Sequence, residues 1–315
     1  MALYASVLDL IGNTPMVDIS ALSPNPRARI LLKLEGQNPG GSVKDRAAKW
    51  MIEEAEKDGS LKPGQVILES SSGNTGIGLA MIARVKGHPF KVVLPDNVSV
   101  ERRQLLEVWG ADIIASDAAG GSNGAMRKAQ QLAAEHPDWW FPYQYGNPAN
   151  PKAHYEGTGP EIWRDCPEIT HFVAGLGTSG TLMGVGRFLK ERNPEVQVWA
   201  VEPPVGEMVD GLKNFDEGFV PPIFIASDGY ELLDRKKVVG PLESVEWTRR
   251  LIDVGVFAGI STGAAVAGAV KCAQDVDSGV IVTLAADGGW KYLSTGAWTG
   301  PIDEVVARAR KLIYF

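Results

Sequence analysis

Apolar and polar positions along this chain alternate between two periods. Compact runs rich in Val, Ile and Leu occur at 29–35 (RILLKLE), 65–70 (QVILES), 90–95 (FKVVLP), 111–116 (ADIIAS), 170–175 (THFVAG), 196–203 (VQVWAVEP) and 279–289 (GVIVTLAADGG). Each predicts a strand, because a short apolar run bounded by Gly, Pro or polar residues fits a strand covered on both faces. Between them the period lengthens to that of a helix, over 43–59, 73–87, 99–110, 123–136, 180–192 and 259–274, the last following a short strand. Strands separated by helices of 10–15 residues imply parallel βαβ units with right-handed crossovers. Ligands in such sheets gather at the carboxyl ends of the strands.

Three strand-to-helix loops carry candidate chemistry. ESSSGNTG (69–76) offers hydroxyls, an amide and backbone N–H groups at a helix start, which suits a carboxylate; an ordinary polar N-cap by Ser71 or Ser72 is the plainer reading. GLGTSGT (175–181) can hold a phosphate dianion with its amides and the hydroxyls of Thr178, Ser179 and Thr181. The same string matches GxGxxG, and the next strand ends in acidic Glu202, so a dinucleotide site or a simple packing turn also fits. GISTGAA (259–265) places Ser261 and Thr262 just before a helix, as site residues or as caps. In GGSVKDRAA (40–48), Lys44 stands where a loop becomes a helix, with Ser42 expected as N-cap. The positive end of the helix dipole and partial burial both favour its neutral amine, the form that Schiff-base chemistry needs. Alone, Lys44 reads as an exposed lysine. Beside a phosphate cradle and a carboxylate cradle it describes a pyridoxal phosphate site, whereas a nicotinamide site leaves the first two of these loops unexplained.

Totals narrow the field. The chain has 315 residues and a net charge of −7, which argues against nucleic acid or an acidic membrane surface as partner. No run reaches the roughly 18 uninterrupted apolar residues of a membrane helix. The start, MALYASVLDLIGNTP, lacks the basic and apolar regions of a signal peptide, so a cytoplasmic location is expected. The two cysteines, Cys166 and Cys272, make neither a disulfide scaffold nor a Cys-rich metal site; Cys272 is expected in a core. The four histidines lack metal-binding spacing, so no metal is expected.

The motifs IGNTPMV, KLEGQNPGGSVKDRAA, SSSGNTGIGLAMIA, YQYGNPANPKAHYEGTGPEI, HFVAGLGTSGTLMGVGRFLK, GISTGAAVAGA and DGGWKYLST resemble the cysteine synthase family of fold-type II pyridoxal-phosphate enzymes over nearly the whole chain. SVERRQLLE, GFVP and GWKYLSTGA are most similar to its B-type members, among which are users of O-phosphoserine and a sulfur-carrier protein. The resemblance implies an α/β fold like the tryptophan synthase β chain, with two three-layer αβα domains and mainly parallel sheets. The larger, cofactor-binding domain would be 1–40 plus 148–315, and the smaller, mobile one 41–147. Lys44 would carry the cofactor; Asn74 would bond its 3′ oxygen; Gly177, Thr178, Ser179, Gly180 and Thr181 would hold its phosphate; Ser261 would face its ring nitrogen. Ser71, Ser72, Asn74 and Thr75, with Gln144, would bind the substrate carboxylate. Arg235, in GYELLDRKKVVG, stands roughly where O-phosphoserine users carry a selective arginine, because guanidinium grips phosphate. The implied reaction is β-replacement through an aminoacrylate, turning O-phosphoserine or O-acetylserine and a sulfur donor (sulfide, thiosulfate or a protein thiocarboxylate) into L-cysteine, in a homodimer. A serine or threonine dehydratase on the same fold is the alternative.

Overall fold

The computed structural model describes residues 3–71, 73–96, 98–117 and 121–309. A six-stranded sheet contains β1 (Met16–Asp18), β2 (Ala28–Leu34), β6 (His171–Gly175), β7 (Gln197–Glu202), β8 (Arg235–Val238) and β9 (Gly279–Ala285), in the order β1-β2-β9-β6-β7-β8. Only the β1–β2 pair is antiparallel. A second, fully parallel sheet contains β3 (Ile67–Ser70), β4 (Phe90–Pro95) and β5 (Asp112–Ser116). The helices are α1 (Lys44–Asp58), α2 (Asn74–Lys86), α3 (Val100–Val108), α4 (Gly121–Glu135), α5 (Ala149–Ala153), α6 (Gly159–Asp165), α7 (Gly180–Arg192), α8 (Pro222–Ala226), α9 (Gly229–Leu232), α10 (Pro241–Arg250), α11 (Ile260–Asp275) and α12 (Ile302–Ala309). A π-helical turn, His154–Thr158, joins α5 to α6.

The strand runs are apolar at consecutive positions because helices cover both faces of the large sheet. Ile30, Leu32, Val173, Trp199, Val201 and Ile281 pack with α11 residues such as Ala264, Ala269 and Cys272. Their neighbours Leu31, Phe172, Ala174, Val198, Ala200 and Val282 pack on the other face with α6 and α7, through Ile162, Met183 and Leu189. Burial at period two on each face sums to a continuous hydrophobic string. In the small sheet, Ile67, Val92 and Leu94 meet α1 and α2, while Leu68 and Val93 meet Ala125 and Ala129 of α4.

The boundaries of α1 follow local rules. Gly59, at φ 81°, ends it as a left-handed cap. At the other end Val43, not Ser42, occupies the N-cap position. The Ser42 hydroxyl still accepts the Lys44 N–H at 3.2 Å, so it serves the helix from one residue further out. The short strand expected before 259 is a single bridge, Ala258 with Gly288.

Both sheets present their carboxyl ends to a common region. The turns after β3, β6 and β9, and the N-termini of α1, α2, α7 and α11, meet there. Among the described residues no helix is long and apolar enough to cross a membrane.

Candidate active site

Two adjoining cavities, of about 100 and 90 Å³, occupy that junction and share Lys44, Asn74, Gly177, Thr178, Gly211 and Ser261 in their walls. Ser71, Thr75 and Gln144 line the first; Ser179 and Thr181 line the second. Nearly the whole expected constellation is thus brought together from five separate segments. Ser72 lies outside the described residues. A larger cavity, about 500 Å³, opens elsewhere, between Pro148, Tyr155, Met183 and Ile223, and contains none of these residues.

Lys44 is the first residue of α1, and burial lowers its pKa to about 8 against the opposing pull of Asp287. The charged form is costly there because little water reaches the amine. A substantial neutral fraction at physiological pH follows.

Facing it, the β3–α2 turn is braced from behind. The Ser71 hydroxyl accepts the N–H groups of Gly73 (3.4 Å) and Gly76 (3.1 Å), so it braces the start of α2 from outside the N-cap position, which Gly73 occupies, and it also lines the cavity. The Thr75 hydroxyl donates to Gln144 Oε1 at 2.7 Å, and the Gln144 N–H donates to Glu69 Oε2 at 3.1 Å. Glu69 is fully enclosed, and that burial, outweighing its backbone hydrogen bonds, raises its pKa to about 7.

At the opposite end, the β6–α7 turn fits a phosphate. Ser179 holds a left-handed φ of 72°, unusual for a residue with a Cβ, and its buried Oγ has no hydrogen-bond partner in the protein. Gly180, first in α7, has no room for a side chain: a Cβ would stand 2.1 Å from Asn150 Oδ1, itself buried and unpartnered. The first N–H groups of α7 lack intrahelical acceptors and carry the positive end of its dipole. Orphaned donors, close backbone approach and a helix N-terminus together make a dianion cradle. Asn150 supports it, donating to Thr178 Oγ1 (3.2 Å) and to the Gln144 carbonyl (3.0 Å). Thr181 Oγ1 lies 3.3 Å from His154 Nε2, and burial keeps that imidazole well below its usual pKa and neutral.

Arg235 is not brought to the site. It opens edge strand β8, pairs with Asp275 at 3.5 Å and lies 5.1 Å over the Trp199 ring. Asp275 ends α11, the helix whose first turn carries Ser261. Fourteen residues at 1.5 Å each separate Asp275 from Ser261 by about 21 Å, so the cavity wall at Ser261 is beyond Arg235's reach. Sequence reasoning missed the cations that do line the cavity, Arg102 and Lys213, together with Asp210, Tyr145 and Tyr292. Arg102 pairs with Asp210 at 2.6 Å. No local signal marked them: SVERRQLLE reads as an ordinary amphipathic surface helix and GLKNFDEGFVP as a polar loop.

The family model described as pyridoxal-phosphate dependent enzyme matches residues 7–287. The chain belongs to that family, in its cysteine synthase branch. It is 44% identical over 291 residues to cysteine synthase B of Salmonella typhimurium, covering 91% of this chain and 94% of that one. Among solved structures, an O-ureido-L-serine synthase superposes with a TM-score of 0.88 at 38% identity, covering 95% and 96% of the two chains. O-acetylserine sulfhydrylase isoform 3 of Entamoeba histolytica gives 0.87 at 35% identity, covering 98% and 96%. The fold is therefore fold-type II, and the cofactor is pyridoxal phosphate, not a dinucleotide. Glu202, which completed the dinucleotide pattern, instead pairs with Lys236 at 3.2 Å.

Proposed function

We propose that this enzyme makes L-cysteine by β-replacement, joining a sulfur nucleophile to the β-carbon of an L-serine with an activated hydroxyl. One observation carries the reading: a lysine of lowered pKa stands between two helix N-termini, each built to hold an anion. The start of α7, with Gly177 to Thr181, holds the cofactor phosphate. The start of α2, with Ser71, Asn74 and Thr75, holds the substrate α-carboxylate, and Gln144 steadies that turn. Bound pyridoxal phosphate supplies an electron sink for the bond broken at the substrate α-carbon. Lys44 anchors the cofactor, and its amine then accepts the α-proton as general base. Ser261 presents a hydroxyl, not a carboxylate, to the ring nitrogen, which keeps the sink weak and favours loss of the β-substituent over transamination.

The leaving group departs as an anion, and Lys213 is the side chain proposed to receive it. Its ammonium is largely buried, lines the cavity and lies 5.5 Å from the Tyr145 ring. A phosphate carries more charge than an acetate, so it gains more from this cation. Lys213→Gln is expected to lower kcat/KM for O-phosphoserine about 10–100-fold, the range for one charged hydrogen bond, and for O-acetylserine severalfold. Equal losses in the two titrations discard this assignment. Purified enzyme given either substrate with sulfide should form cysteine; keto acid as the main product in the presence of sulfide favours the dehydratase reading.

The amine of Lys44 also sets how the apoprotein takes up its cofactor. With a pKa of about 8, the neutral fraction rises about tenfold between pH 7 and pH 9 and then levels. The association rate, followed by absorbance, should do the same. A rate still climbing tenfold per unit at pH 10 contradicts it.

We further propose that 41–147 moves as the smaller domain. The Arg102–Asp210 pair and the hydrogen bonds from Ser294 to Glu101, at 2.7 and 2.6 Å, join it to the rest across the cavity mouth. Exposed Leu3, Tyr4, Val7 and Leu10 support a homodimer.

A further inference from the structure

Lys291 is among the largest fully enclosed side chains of the protein, yet it lines neither active-site cavity. Its ammonium donates to Asn74 Oδ1 at 2.7 Å and to the Gly40 carbonyl at 2.8 Å. The other end of the same amide is also held, because Asn74 Nδ2 donates to Asp287 Oδ2 at 2.7 Å. The Tyr292 hydroxyl donates to that same carboxylate oxygen. Asp287, Lys291 and Tyr292 all belong to the turn that follows β9.

These contacts determine which way the Asn74 amide faces. Its oxygen meets a cation and its nitrogen an anion. Reversed, the amide would set N–H against ammonium and C=O against carboxylate, and both charge-assisted hydrogen bonds would become repulsions. An amide nitrogen carries two protons. Asp287 takes one, and the other remains for the cavity wall that Asn74 forms beside Lys44 and Ser261. Meanwhile the bond to Gly40 ties the loop that leads into Lys44 to the loop that carries Asn74. That loop is held further by the Gly40 N–H to Asp45 Oδ2 at 2.6 Å and the Gly288 N–H to the Gly41 carbonyl at 3.3 Å.

We infer that Lys291 is a positioning residue, whose ammonium orients the Asn74 amide and registers it against Lys44, so that one Nδ2 proton is presented to the 3′ oxygen of the cofactor. The inference rests on the reading of Asn74 as the partner of that oxygen. It also explains a cost. A buried ammonium is expensive to desolvate, and a methionine would fill the same space without it. Two neutral oxygens and a nearby carboxylate pair, Asp45 and Asp287, offset that cost only in an arrangement that also fixes the amide.

Lys291→Met and Lys291→Gln remove the cation, and Lys291→Arg keeps it. Each variant is loaded with pyridoxal phosphate, and the visible spectrum and cofactor dissociation are recorded alongside thermal melting. With the 3′ oxygen deprived of its donor, the long-wavelength band should give way to the shorter-wavelength form with that oxygen protonated. Cofactor dissociation should quicken roughly tenfold, the effect of losing one such hydrogen bond. Arginine should preserve more of the native spectrum than methionine or glutamine. A merely structural lysine would lower the melting temperature and leave the spectrum alone. A folded Met or Gln variant with the native spectrum therefore overturns the inference, and either variant suffices if the other fails to fold. Asn74→Ala separates the premises. It should show the same spectral change, and adding Lys291→Met to it should change little more. A native spectrum in Asn74→Ala means that Asn74 does not serve the 3′ oxygen, whereas a shift there that Lys291→Met does not reproduce rejects the role of Lys291 alone.

Discussion

Lys44→Met should lower cysteine formation by at least about 1,000-fold while leaving the fold intact. General-base removal alone costs about 100- to 10,000-fold, and this side chain is proposed to anchor the cofactor as well. Methionine keeps the apolar stem and deletes the amine. Since burial already disfavours that amine's charged form, its loss relieves a cost, and the melting temperature of the apoprotein at pH 7 should not fall. The sign can be checked by titration. The folded pKa of about 8 lies below the usual lysine value, so between those two pH values the unfolded chain binds more protons. Wild-type apoprotein should therefore gain stability as pH rises above 8, and the variant should lack that gain. Hydride reduction of loaded wild type should fix the cofactor to the peptide containing Lys44 and fix none to the variant. Turnover within tenfold of wild type, or equal labelling of both, would sink the assignment.

The sequence made the alternation of strands and helices legible wherever both faces of a strand are buried. RILLKLE and VQVWAVEP carry consecutive apolar residues, Ile30 to Leu32 and Val198 to Val201, because α11 covers one face and α6 or α7 the other. The edge strands of the large sheet gave no such signal. β1 is three residues long, and β8, RKKV, presents charge to solvent, so nothing in its composition separates it from a basic loop. The Arg235 expectation failed for the same reason. Local resemblance aligned a cation with a segment, but which end of a parallel sheet a residue reaches depends on strand register, and register pairs Arg235 with Trp199, short of the carboxyl end of β7. Most residues that line the two cavities were readable because Gly, Ser, Thr and Asn at strand-to-helix turns have a direct physical meaning. Charged residues that work from within the core were not. Lys33, Arg46, Arg102 and Lys291 look in sequence like solvated side chains, and only packing shows them enclosed.

Arg46 gives the largest expected loss of stability. Its guanidinium bonds Glu35 through Nε (2.7 Å) and Nη2 (2.9 Å), and Glu161 through Nη1 and Nη2, both at 2.7 Å. Lys33 Nζ completes the cluster at 2.8 Å from Glu161 Oε2, and the Thr14 hydroxyl donates to Glu35 Oε1 at 2.6 Å. The group joins α1 to β2 and α6, all within the protein interior. Glu35 and Glu161 are held below the usual carboxylate range by these cations, against the burial that would raise them. Arg46→Met strands two buried carboxylates with only Lys33 between them. Breaking such a pair costs about 3–5 kcal/mol. In wild type, the lowered pKa values contribute stability above the ordinary carboxylate pKa that is lost only as pH falls through the folded values. In the variant both carboxyls should move above that ordinary value, so stability should drop as pH rises through it. The gap between the two proteins should thus widen from pH 4 to pH 7 in urea denaturation. A gap below about 1 kcal/mol at pH 7, or one that narrows over that interval, refutes the account. Arg46 stands two residues after Lys44 and lines neither of the two cavities, so any fall in turnover of the folded variant reports how firmly this buried ion cluster seats the helix that begins at Lys44.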